Sequence, residues 1–170
     1  MLRLFYQLKD LHFGDLMALY AQSNMEDADE LYSELEAGEA ILQVEASFYQ
    51  YLREDFFTVP GAIYAVWEEN NQYISALRLE PYQDGLLLEA LETHPSFRRK
   101  GYAAKLIHSV TEHLTQQGQS VIYSHVSKQN TASLRTHESC GFFKVSDQAA
   151  YVDGSVTQRS CTMKYIDHSE

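Results

Sequence analysis

Arg98-Arg99-Lys100-Gly101-Tyr102-Ala103 is a basic stretch between an apolar segment and an amphipathic one. Residues 86–91 before it are nearly all apolar and follow the turn signal Asp84-Gly85, which predicts a buried strand. After Gly101, apolar residues recur at the spacing of a helix packed on one side, at Ala103, Leu106, Ile107, Val110 and Leu114. The first amides of a helix have no partner within it, and its dipole is positive there. The junction therefore predicts a binding site for a pyrophosphate or a similar anion.

Other glycine-rich phosphate loops need residues that this stretch lacks. A P-loop ends in Lys followed by Ser or Thr, and the dinucleotide-binding motif has three spaced glycines. Neither pattern occurs at the junction. A nucleotide triphosphatase and a Rossmann-type enzyme are therefore disfavoured.

The pattern Arg98-x-x-Gly101-x-Ala103 after a strand resembles the acyl-CoA loop of the GNAT superfamily of N-acyltransferases, which reads Arg/Gln-x-x-Gly-x-Gly/Ala. The preceding His94-Pro95-Ser96-Phe97 is similar to that family's approach to the loop. A second family block, Asn130-x-x-Ser133-x-x-x-His137-x-x-x-Gly141-Phe142, follows about 30 residues downstream. Two blocks in the right order extend the resemblance over roughly residues 60–145.

The resemblance implies that acetyl-CoA is the acyl donor and that the loop holds its pyrophosphate. The contacts would fall on Arg98, Arg99, Lys100, Gly101, Tyr102 and Ala103. The strand end Leu91-Glu92-Thr93 would face the pantetheine arm and the thioester, and a backbone N–H there would stabilise the developing oxyanion. Asn130 and Ser133 would lie beside the coenzyme arm.

Transfer of an acyl group to an amine needs a proton acceptor, for which Glu89 is the first choice. Glu89 lies mid-strand among apolar residues, and unbroken pairing would place it on the same face as Thr93. An equally good interpretation is that Glu89 points to a solvated edge or forms an ion pair with an arginine such as Arg78. Other proton acceptors that the sequence leaves open are Glu92, Tyr123, His125 and a chain of waters.

His137 is the predicted proton donor to the departing thiolate, because it stands where many GNAT members carry a tyrosine with that role. Its spacing from Asn130 and Ser133 brings all three to one side of a helix. A packing role on an ordinary helix is the alternative.

The resemblance implies that the acceptor is a primary amine of a small molecule or peptide. It also assigns much of the acceptor wall to residues 23–57. Carboxylates there would attract a cation and aromatic rings would cover its apolar part, although a solvated acidic face and a helical core explain the same residues. The carboxylates are Glu26, Asp27, Asp29, Glu30, Glu34, Glu36 and Glu39, and the aromatics are Phe48, Tyr49, Tyr51, Phe56 and Phe57. A non-catalytic acyl-CoA-binding sensor or interaction module is the alternative function.

Length and composition predict a single domain over residues 1–170, since the chain is 45% hydrophobic and contains no linker or repeat. A net charge of −11 disfavours nucleic-acid partners. The sequence shows no membrane span or secretory leader, so we expect a soluble, cytoplasmic protein that does not bind membranes. Exposed edge strands leave a homodimer open.

Cysteines and histidines do not occur at metal-ligand spacing, so no metal site is predicted. Cys140 and Cys161 are expected to be free thiols. The histidines without ligand partners are His12, His94, His108, His113 and His168.

The pattern of elements predicts an α/β fold with a mixed, mostly antiparallel central sheet of about six to seven strands and helices on both faces. Strands are predicted at residues 2–8, 62–68, 72–79, 86–93 and 120–126, with two closing strands after residue 142 that end with 157–166. Helices are predicted before residue 57, at 101–116 and at 130–140. The GNAT resemblance implies the same fold, often with a bulge in the strand before the loop.

Overall fold

The computed structural model describes residues 1–167, in which a mixed sheet separates two groups of helices. The strands are β1 (Leu2–Phe5), β2 (Ile63–Glu69), β3 (Gln72–Tyr82), β4 (Gly85–Thr93), β5 (Val121–Ser127), β6 (Phe143–Ser146), β7 (Ala149–Ala150), β8 (Val156–Thr157) and β9 (Ser160–Ile166). The helices are α1 (Phe13–Leu19), α2 (Ala21–Leu31), α3 (Ala37–Glu54), α4 (Tyr102–Gln116) and α5 (Thr131–Ser139).

The main sheet has seven strands in the order β1-β2-β3-β4-β5-β9-β6. Within it, β4 and β5 run parallel, and the other neighbouring strands are antiparallel. Strands β7 and β8 form a separate short hairpin. The predicted mixed, mostly antiparallel sheet is confirmed.

Two apolar cores lie on the two faces of the sheet. Leu106 and Ile107 of α4 pack in one of them against Leu77 and its neighbours. Leu16 of α1 and Leu52 of α3 belong to the other. These side chains are fully buried, which stabilises the fold by about 1.5–3 kcal/mol for each. The predicted helices on both faces are confirmed.

Three predicted strand boundaries are wrong. The strand predicted at 72–79 continues to Tyr82. The first strand ends at Phe5 instead of residue 8, because Leu8–Asp10 form a 3-10 turn. The last strand begins at Ser160 instead of residue 157, because Val156–Thr157 pair with β7 in the separate hairpin. The sequence of a short polar segment beside a strand does not show which neighbouring strand it will pair with.

Strand β4 contains a β-bulge. Arg78 of β3 pairs with Glu89 and Ala76 pairs with Glu92, so two residues of β4 lie opposite Leu77 alone. The bulge occurs in the strand before the loop, where the resemblance led us to expect one.

The bulge changes which side chains share a face. Because residues two apart on β3 point the same way, their partners Glu89 and Glu92 lie on one face and Thr93 on the other. The prediction that Glu89 and Thr93 share a face is therefore wrong. Ala90 in the bulge has a φ of 51°, in the left-handed region.

Strands β4 and β5 part soon after they meet. Their pairs are Leu86 with Ile122, Leu87 with Tyr123 and Leu88 with Ser124. Beyond these pairs β5 continues beside β9, and a cleft opens between β4 and β5. Gly85 permits their close approach, because a Cβ there would lie 2.3 Å from the Val121 carbonyl oxygen.

Three further findings concern the described part of the chain. No helix in residues 1–167 is long and apolar enough to cross a membrane. Cys140 and Cys161 are buried free thiols, as predicted. No group of three or more His, Cys, Asp or Glu side chains in these residues is arranged to hold a metal ion, and His168 lies outside them.

Candidate active site

A cavity of about 510 Å³ lies where β4 ends and α4 begins. It is lined by the loop predicted to bind an anion (residues 98–103), by the end of β4 and by the start of α5. The lining residues are Leu91, Glu92, Thr93, Phe97, Arg98, Arg99, Gly101, Tyr102, Ala103, Ala104, Asn130, Ala132, Ser133 and Thr136. The structure thus brings together every residue that was predicted to contact acyl-CoA except Lys100.

The N-terminus of α4 is shaped to receive an anion in this cavity. Gly101 caps the helix with a φ of 81°, and a Cβ built on it would meet nothing within 4 Å. Tyr102 and Ala103 begin the helix and line the cavity. Their amides lack intrahelical acceptors, so an anion here would meet unpaired N–H groups at the positive end of the dipole.

Arg98 holds the end of β4 against the loop. Its Nε donates to the Thr93 carbonyl oxygen at 3.1 Å, and its Nη2 donates to Glu92 Oε1 at 3.0 Å. The other carboxylate oxygen of Glu92 accepts from Ser23 Oγ at 2.8 Å, which joins α2 to the same point. Arg98 and Glu92 therefore position the loop by contacts with each other and with the backbone.

The other two basic residues of the loop differ in their contacts. Lys100 Nζ donates to the Ser96 carbonyl oxygen at 3.1 Å and lies 5.1 Å from the centre of the Phe97 ring. Arg99 has a φ of 61° and forms no hydrogen bond or ion pair through its side chain with any residue in 1–167. Arg99 is the loop guanidinium that remains available to a bound anion.

Asn130 begins α5 at the opposite wall of the cavity. Its Oδ1 accepts a hydrogen bond from the Ser133 amide at 3.0 Å, so Asn130 is the N-cap of the helix. This contact places Asn130 and Ser133 side by side.

A second cavity, of about 190 Å³, occupies the cleft between β4 and β5. It shares Leu91, Asn130 and Ser133 with the first cavity, so the two are adjacent. The Tyr20 hydroxyl donates to the Ala90 carbonyl oxygen at 2.7 Å and accepts from the Tyr64 hydroxyl at 2.8 Å. These buried tyrosines fix the left-handed residue of the bulge at the edge of the cleft.

His137 lies at the base of this cleft and is 1% exposed. Its Nδ1 donates to the Ser133 carbonyl oxygen at 2.8 Å, and its Nε2 lies 2.9 Å from Ser124 Oγ. Burial lowers the pKa of His137, so the ring is neutral at neutral pH. In that state Nε2 accepts from the Ser124 hydroxyl, and both ring nitrogens are bonded within the protein.

Glu89 lies where the cleft meets the opposite face of the sheet. Its Oε2 is 3.5 Å from Arg78 Nε, and both side chains are about four-fifths buried, with exposed fractions of 17% and 20%. The Arg78 guanidinium also lies 4.9 Å from the centre of the Tyr51 ring. The ion pair with an arginine, one of the two interpretations drawn from the sequence, is the arrangement in the structure.

A third cavity, of about 450 Å³, adjoins the cleft at Glu89. It combines carboxylates with aromatic and aliphatic side chains, namely Asp55, Glu80, Glu89, Asp153, Tyr51, Phe56, Val59, Tyr151 and Val152. Burial and the charge of Glu89 raise the pKa of Glu80, and Arg78 opposes them. Negative charge in this cavity is thus only partly compensated.

The predicted acceptor wall contributes less to the cavities than we expected. Tyr51, Asp55 and Phe56 line the third cavity. A further cavity of about 330 Å³ beside Arg78 is lined by Ser23, Asn24, Asp27 and Phe48 of the predicted wall. The early carboxylates are exposed: Glu26, Asp27, Asp29, Glu30, Glu34, Glu36 and Glu39. For most of them the solvated acidic face is the correct interpretation.

Sequence reasoning missed Ser124, Glu80 and Tyr151. Glu80 follows Arg78 by two residues on a strand, which was a usable signal that both face one side of the sheet. Ser124 meets His137 through tertiary contact, and Tyr151 follows a two-residue strand. Neither of these two positions carries a periodic signal.

The sequence matches the model of the acetyltransferase (GNAT) family over residues 19–142. No curated protein sequence matches the chain. Among solved structures, the fold is similar to that of PaiA N-acetyltransferase from Thermoplasma acidophilum in complex with coenzyme A. That pair shows 13% identity over 98% of this chain and 99% of the other, with a TM-score of 0.64.

Two further structures share the fold. Ribosomal-protein-alanine N-acetyltransferase from Brucella melitensis is 18% identical over 98% of this chain and 99% of its own, with a TM-score of 0.59. A spermidine N-acetyltransferase chimera from Vibrio cholerae and hSSAT is 20% identical over 97% and 95%, with a TM-score of 0.57. Because the family model spans most of the sequence, the chain belongs to the GNAT acetyltransferase family.

Proposed function

We propose that this protein is an N-acetyltransferase that moves the acetyl group of acetyl-CoA directly to a primary amine of a small molecule or peptide. The observation that carries the proposal is a row of three adjoining cavities. The cavity at the start of α4 leads into the β4–β5 cleft, and the cleft leads to an acidic, aromatic cavity. Donor and acceptor would meet where the last two cavities join, at Glu89.

The donor site fits coenzyme A by its chemistry. The N-terminus of α4 and Arg99 offer N–H groups and positive charge for a pyrophosphate. The strand end Leu91-Glu92-Thr93 borders the same cavity and offers backbone groups to a pantetheine arm. Asn130 and Ser133 close the other side. We propose that residues 1–170 form a single domain around this site.

Glu89 and His137 are the proposed catalytic residues. Glu89 stands at the mouth of the third cavity, the proposed acceptor cavity, where its carboxylate would bind the ammonium form of the acceptor and assist its deprotonation. His137 lines the base of the cleft with Ser124, where a departing thiolate would need a proton. A backbone N–H near the bulge is the proposed donor to the oxyanion.

The acceptor is proposed to carry positive charge. Four carboxylates and three aromatic rings line the third cavity, where Glu89 also pairs with Arg78, and ammonium groups bind to both kinds of surface. The names of two structural neighbours, which act on spermidine and on a ribosomal-protein alanine, support an amine acceptor of either small or peptide type.

The test is thiol release from acetyl-CoA with a panel of alkyl monoamines, alkyl diamines and short peptides with free N-termini. We expect release that depends on the amine and is fastest with acceptors that carry a second positive charge. Acetyl-CoA binding is measured separately by calorimetry. Binding without release for every amine would identify the alternative function, a non-catalytic acyl-CoA sensor.

A further inference from the structure

Within residues 1–167, the imidazole ring of His125 has no hydrogen-bond partner. Both ring nitrogens are shielded from solvent, and neither bonds to any residue in the described part of the chain. The ring is held edge-on by Tyr151, at 4.7 Å between centroids, and by Tyr82, at 5.6 Å. Buried polar atoms in folded proteins nearly always have partners, so this histidine requires an explanation.

The position of His125 places it beside the proposed point of transfer. In the parallel ladder Leu87 pairs with Tyr123 and Leu88 with Ser124, so the next pair in register would be Glu89 with His125. The strands part there, and both residues line the cleft. Tyr151, the ring in contact with His125, also lines the acceptor cavity.

Burial lowers the pKa of His125, so the imidazole is neutral at neutral pH and has a free lone pair. Titratable and charged groups on the elements beside it are Glu89 of β4, Arg78, Glu80 and Tyr82 of β3, Tyr123 of β5, Tyr151 after β7 and Lys164 of β9. Burial is the cause of the shift. Glu89 already faces Arg78, so the imidazole is the neutral base of the cleft.

We infer that His125 is a further catalytic residue, the group that takes the first proton from the ammonium form of the acceptor. This inference rests on the proposed function. The freed amine nitrogen attacks the thioester carbonyl carbon, so that a C–N bond forms and the C–S bond breaks with its electron pair on sulfur. The second amine proton goes to that thiolate, and the imidazolium of His125 returns its proton to water that enters the cleft when the products leave.

A packing role for the ring is the competing explanation, and chemical rescue separates the two. His125→Ala is expected to lower kcat/KM for the amine about 100-fold, the usual scale of general base catalysis, with acetyl-CoA affinity unchanged. Added imidazoles should restore activity, and the restored rate should rise with the pKa of the imidazole used. If the restored rate does not depend on the pKa of the added imidazole, the His125 ring only fills space.

The pH profile gives a second readout. Wild-type kcat/KM should lose its His125-dependent part only as the pH falls through the pKa of His125, which burial holds below the ordinary value of about 6.5. His125→Phe should lack this limb, and the control Tyr82→Phe in the same ring cluster should keep it. Ionisation of the amine substrate changes kcat/KM with pH in the same way in every variant.

Either of two results would overturn the inference and leave the proposed function standing. One is a His125→Ala variant within about twofold of wild-type kcat/KM, and the other is an unchanged acid limb in His125→Phe, since general base loss normally costs at least about 100-fold. If wild type turns over no amine in the panel, the proposed function fails and the inference fails with it.

Discussion

Two histidines line the β4–β5 cleft, and their hydrogen bonds differ completely. His137 is bonded at both nitrogens, to Ser133 and Ser124, whereas His125 is bonded at neither within residues 1–167. A ring held in one orientation can pass a proton only along its existing bonds, and an unbonded ring can accept one from a ligand. We therefore propose His125 for proton uptake from the amine and His137 for proton transfer to the thiolate.

His137→Ala is predicted to lower turnover by roughly 100-fold and to leave acetyl-CoA affinity nearly unchanged, because a proton donor acts after binding. His137→Tyr should recover part of the loss by supplying a hydroxyl. Steady-state kinetics and calorimetry measure the two quantities. Equal turnover in wild type and His137→Ala would remove the role, and a parallel loss of affinity and turnover would indicate packing alone.

The loop residues could be predicted from the sequence because helix starts and positive-φ glycines leave local signals, as at Gly101. The partners of Arg98 could not. A sequence shows a basic residue beside an anion site, but its contacts with Thr93 and Glu92 depend on a strand end brought back by tertiary folding. The same holds for Glu89, for which Arg78 was one of two equal interpretations.

Among the elements, β4 determines the geometry of the site. Its apolar residues predicted a buried strand, yet the position of the bulge at Ala90 has no local sequence signal, because alanine rarely adopts a positive φ. Tyr20 at the end of α1 and Tyr64 of β2 supply the hydrogen bonds that hold the bulge. Because these hydrogen bonds hold the bulge, they also determine the face of the sheet on which Glu89 and Glu92 lie.

Asn130 has a role in its helix that is separable from any contact with the coenzyme. Asn130→Ala should lower the free energy of unfolding by about 1 kcal/mol through loss of the N-cap, measured by urea denaturation. Asn130→Ser is the matched variant, since serine also caps helices and should keep the stability of the parent. Equal stability of Asn130→Ala and wild type would show that the cap contributes nothing.

At the scale of the whole molecule, charge is sorted along the row of cavities. The net charge of −11 predicted no polyanionic partner, and the basic loop stands out against it at one end. Carboxylates gather at the other end, where Glu80 and Glu89 are partly buried and Asp55 and Asp153 are exposed. The mixed, mostly antiparallel sheet with helices on both faces could be predicted from strand and helix periodicity, whereas the joining of the cavities arises from contacts between distant segments.

We propose above that the start of α4 binds the pyrophosphate of acetyl-CoA. Gly101→Glu introduces a negative charge there, and Gly118→Glu is its matched control at the other end of α4. Gly118 has a φ of 82°, and a Cβ added to it would meet no atom within 4 Å, as at Gly101. Both substitutions therefore meet the same backbone strain.

Isothermal titration calorimetry with acetyl-CoA compares the parent and these two variants most directly. We expect Gly101→Glu to weaken binding at least about tenfold, which corresponds to about 1.4 kcal/mol or more, and Gly118→Glu to bind like the parent. Equal affinity of all three proteins, or no heat of binding with the parent, would contradict pyrophosphate binding at the start of α4.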